Sequence, residues 1–74
     1  MQIPLHTVEV FTTNVEEKNE AAALAALLLQ LYPGCNISFD LDDCDRILRV
    51  QGKAYPKDIV RFMNDCGYEC KVLE

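Results

Sequence analysis

Four cysteines, Cys35, Cys44, Cys66 and Cys70, are the residues of this 74-residue chain best suited to chemistry. A cysteine thiolate is a nucleophile, a redox centre and a soft metal ligand. In a secreted protein an even number of cysteines in so short a chain would form a disulfide framework. Met1-Gln2-Ile3-Pro4-Leu5-His6, however, carries neither a basic leader nor an apolar one. The longest apolar candidate, Ala21 to Leu29, falls short of the roughly 18 residues of a membrane span. The expectation is a cytoplasmic protein with no membrane contact. In that reducing setting structural disulfides are rare, and free cysteine mostly packs as a small hydrophobe.

Other groups offer less. Asp40, Asp42, Asp43 and Asp45 surround Cys44 and supply oxygens of the kind a hard cation takes. EF-hand spacing and its closing Glu are missing, and Asp is a favoured turn residue, so the segment reads as a turn. His6 has no Ser or Cys at a catalytic spacing. Seven Lys plus Arg against twelve Asp plus Glu leave a net charge of −5, which argues against nucleic acid or anionic lipid as the main partner. One small domain spanning 1–74 fits this length, and it buries only about 60% of its unfolded surface, which leaves little to line a deep cleft. No enzyme and no cofactor is expected.

The elements follow from pattern. Residues 5–12 alternate as a strand, with Val8 and Val10 inward and Phe11 on the other face. Asn14 reads as the N-cap of a helix, with Glu16 and Glu17 in its first turn, running to about Tyr32 before Pro33-Gly34. Cys35, Ile37, Phe39 and Leu41 form the inward face of a second strand. A turn at Asp42–Asp45 leads to a third, Arg46 to Gln51, with Leu48 and Val50 inward. Pro56 opens a second helix whose apolar face is Ile59, Phe62, Met63 and Cys66, and Gly67 ends it. Residues 68–72 close the chain as a fourth strand. The order βαββαβ with right-handed crossovers predicts an α+β ferredoxin-like sandwich: a four-stranded antiparallel sheet ordered 4-1-3-2 with two helices on one face.

Ile59-Val-Arg-Phe-Met-Asn-Asp-Cys-Gly67-Tyr68-Glu69 resembles the second helix and last strand of the heavy-metal-associated (HMA) domain, the fold of copper chaperones and of modules in metal-pumping ATPases. Leu31-Tyr32-Pro33-Gly34, Phe39-Asp40-Leu41-Asp42 and Leu48-Arg49-Val50 are similar to its Leu-Pro-Gly-Val turn and central hairpin. That family holds a soft metal through Met-x-Cys-x-x-Cys in the loop after its first strand. The matching stretch here, Thr12 to Glu20, has no Cys, Met or His. The resemblance therefore implies the fold without the family's metal ligands.

Placed on this topology, Cys35, Cys66 and Cys70 are phased toward the core and Cys44 sits on an exposed turn. Cys44 and Cys66 share a pole, whereas the second and fourth strands lie three spacings apart, roughly 14 Å. The expected function is a small binding module that contacts a protein partner or a second copy. Two surfaces are candidates: Ala22, Ala26 and Leu29, which face outward when Leu24, Leu27, Leu28 and Leu31 take the core face of the first helix, and an exposed patch of Phe11, Val15 and Ile47. The alternative is a Cu or Zn carrier or sensor using Cys44 or Cys66 in a non-standard or inter-chain site.

Overall fold

The computed structural model describes residues 8–73. Its elements are β1 (Val8–Thr13), α1 (Lys18–Leu31), β2 (Asn36–Asp40), β3 (Ile47–Gln51), α2 (Pro56–Asp65) and β4 (Cys70–Val72). The four strands form one antiparallel sheet in the order β2-β3-β1-β4, which is the expected order read from the opposite edge. His6 and the start of the expected first strand, residues 5–7, lie outside the described residues.

Register fixes which side chains share a face. Phe11 is opposite Leu48, which is opposite Phe39 on its other side, and Ile37 is opposite Val50. This face carries the core, where Leu24 and Leu28 of α1 and Ile59 and Met63 of α2 cluster with Phe11, Leu48 and Val50. The phase of β1 is thus the reverse of the expectation: Phe11 is 0% exposed and Val8 is 51% exposed. A one-residue change of phase flips every side chain of a strand. Here the large ring of Phe11 takes the core position, and half-buried Glu9 shares its face at the end of the strand.

The helices divide similarly. α2 behaves as expected through Pro56, Ile59, Met63 and Gly67, the last with φ 95°. Cys66 is the exception. It is the C-cap, beyond the last full turn, and it is exposed. In α1 only Ala21, Leu24 and Leu28 are buried. Leu27 and Leu31, expected inside, are instead exposed, because spacing of i, i+3 and i+7 turns only a narrow stripe toward the sheet. The N-cap is Glu17 and not Asn14, and no side chain caps the helix.

Candidate functional site

The loop after β1, where the resembled family places its metal, is bound into the fold by local polar contacts. The Thr13 N–H donates to the Asp45 carbonyl at 3.1 Å, and the Thr13 hydroxyl donates to the Arg46 carbonyl at 2.6 Å. That same hydroxyl oxygen accepts the Val15 N–H at 3.2 Å. Asn14 accepts the Glu69 N–H at 2.9 Å through Oδ1. Thr13 therefore ties the loop to the β2–β3 hairpin, and Asn14 ties it to the segment before β4. Val15 is fully buried in the core.

Among the described residues, no group of three or more metal-ligating side chains holds two of the thiols. Cys35 and Cys70 are buried, and Cys44 and Cys66 are exposed. Cys66 thus departs from the expectation that it packs inside. Burial pushes the Cys70 thiol up to about 11, which holds it protonated and unreactive near neutrality. Around Cys44, one ligand atom each from Asp43, Cys44 and Asp45 lie within 4.8 Å of one another, all exposed. Asp43 Oδ1 already accepts the Asp45 N–H at 2.9 Å, the bond of an Asx turn. Tyr68 has its phenol raised above the usual 10, by desolvation first and then by the Glu20 carboxylate and Cys66 nearby.

The patch expected from Phe11, Val15 and Ile47 is not a surface. Phe11 and Val15 belong to the core, and Ile47 is buried on the other face of the sheet, opposite Asp40. Removing these three leaves the outer face of α1. No family model matches the chain, and no curated protein matches it.

Ala22, Ala26 and Leu29 are exposed as expected, and so are Ala23, Leu27 and Leu31. Beside them runs a groove of about 370 Å³ between α1 and edge strand β2, lined by Lys18, Ala22, Ala25, Ile37, Phe39 and Asp42 among others. One sequence signal marks this region without any structure. No Asp, Glu, Lys or Arg occurs between Glu20 and Asp40, in a chain that is 26% charged. The stretch covers nearly all of α1, the following turn and all of β2 but its last residue. Among the described residues no helix is long and apolar enough to cross a membrane.

Proposed function

We propose that this chain is a small non-catalytic interaction module of ferredoxin-like architecture, similar to heavy-metal-associated domains but without their metal ligands. It acts by protein contact through the outer face of α1. The observation that carries this reading is the uncharged run from Ala21 to Phe39, on which Leu27, Leu29 and Leu31 stay about half exposed. Clustered apolar side chains on a small domain mark contact surfaces more often than single ones do. Four free thiols fit a reducing compartment such as the cytoplasm.

A second reading rests on the exposed Asp43, Cys44 and Asp45 group: one thiolate and two carboxylates suit a zinc-like ion, with a further ligand from elsewhere. Titration with Cu(I) and with Zn(II), followed by native mass measurement, separates the two. Interaction without a metal predicts no stoichiometric adduct. A one-to-one adduct abolished by Cys44→Ser would overturn it in favour of a metal carrier.

A further inference from the structure

We propose that the partner of this surface is a second copy of the chain, paired two-fold and antiparallel along the free edge of β2 and centred on Ser38. This rests on the interaction reading above and names its partner.

The two sheet edges are built differently. β4 is three residues long, has Lys71 at its centre and follows Glu69, so it is short and charged in the way that discourages pairing. β2 has five residues in unbroken register with β3, with no bulge, no Pro and no Lys. Of the usual protections against edge pairing it has only the terminal charge of Asp40.

Its sequence is self-complementary. With Ser38 on the two-fold axis, Asn36 lies opposite Asp40 of the second copy, Ile37 opposite Phe39, and Ser38 opposite itself. The acid meets an amide and not another acid, and an aliphatic meets an aromatic, the favourable kind of cross-strand pair. The whole strand is used with no overhang.

Charge points the same way. Two copies each of net charge −5 repel over most of their surfaces. On the α1–β2 side the run from Ala21 to Phe39 carries no formal charge, and Lys18, Asp40 and Asp42 stand only at one end of the groove, so it is where two acidic copies approach at least cost. Ile37 and Phe39, half-buried beside the groove, would have their burial completed. Ala22, Ala25 and Leu29 follow one another at i, i+3 and i+7 along α1 and would meet the same stripe of the other α1. Small residues there let two helices pack at about 8–10 Å.

The test is sedimentation of the full chain across a concentration series, with Ser38→Lys and Ser38→Glu variants. Ser38 is exposed and lies opposite Arg49 on the sheet face away from the core. Within its own sheet Ser38→Glu therefore faces an opposite charge and Ser38→Lys a like charge. A urea midpoint for each variant separates that local effect from lost association. The expected result is a wild-type dimer weakened by about fivefold or more in each variant alone, where like charges face across the axis. Mixing the two variants should restore association. A wild-type chain that stays monomeric at high micromolar concentration would overturn the dimer while leaving the metal titration, and so the interaction reading, untouched. A dimer unaffected by Ser38→Lys but lost in Leu29→Glu would overturn the strand pairing.

Discussion

The Thr13 hydroxyl donates to the carbonyl oxygen of Arg46 at 2.6 Å, and Arg46 is the described non-glycine residue whose backbone enters the left-handed region, with φ 52°. The bond holds the hairpin exit against the end of β1, while the Arg46 guanidinium donates to the Leu41 carbonyl at 2.6 Å across the same turn. Thr13→Val keeps the shape and removes the hydroxyl, so the Arg46 carbonyl and the Val15 N–H both lose a partner. The expected cost is about 1–2 kcal/mol, read as a lower urea midpoint at unchanged slope. Thr12→Val, one residue earlier and on the opposite face, should change the midpoint little.

Gly52 is set by Cys35. A Cβ at position 52 would lie 2.8 Å from Cys35 Sγ and 3.1 Å from its Cα, and φ is 133°. The Cys35 thiol itself reaches the Lys53 carbonyl at 3.7 Å. Gly52→Ala therefore meets both a clash and an unfavourable backbone, at about 2 kcal/mol or more. In a Cys35→Ala background the sulfur clash is gone, while the crowding against the backbone of residue 35 and the unfavourable φ remain. The double variant should recover only part of the loss in a denaturation cycle.

The phase of β1 is tested directly by volume changes. Phe11→Leu shrinks a fully buried ring and is expected to cost about 1–2 kcal/mol. Val8→Ala, on a half-exposed side chain, should stay within about 0.5 kcal/mol. The reverse ranking in thermal melts would put Val8 and Val10 inside.

Those two residues also show where sequence stops deciding. In Val8-Glu9-Val10-Phe11 the alternation favours the two valines inward, and the pairing of Phe11 with Leu48 on the core face selects the opposite phase. α2 is legible because Pro56, the Ile59–Met63 face and Gly67 each carry their own local physics. Cys66 continues that face at i+7 by spacing, but the helix has ended by then. In α1 the apolar residues surround the axis, so periodicity identifies a helix without saying which stripe is buried. Helix patterns alone do not reveal the α1–β2 groove. The uncharged run beneath it is visible in the sequence.

Thiol accessibility should split two and two. An aromatic disulfide reagent added to the native chain should titrate Cys44 and Cys66 quickly, and Cys35 and Cys70 only after denaturation. Mass mapping of the labelled peptides identifies them. Fast labelling of Cys35, or protection of Cys66, would contradict this division into buried and exposed thiols.

Alkaline pH should weaken the fold through Cys70. Its thiol is raised from 9.0 to about 11 by burial, so the native state keeps a proton that the unfolded chain releases. Unfolding stability therefore falls as pH rises through the window from about 9 to 11, and the contribution is fully present below it. The loss from this group approaches about 2 kcal/mol at the upper end. Tyr32, raised by desolvation first and then by Asp58 and Cys35, acts with the same sign above pH 10. Urea denaturation at pH 8, 9.5 and 11 should show the decline. Cys70→Ala, less stable at pH 8 from its lost packing, should show a visibly shallower one. Parallel declines in the two proteins would remove Cys70 as the cause.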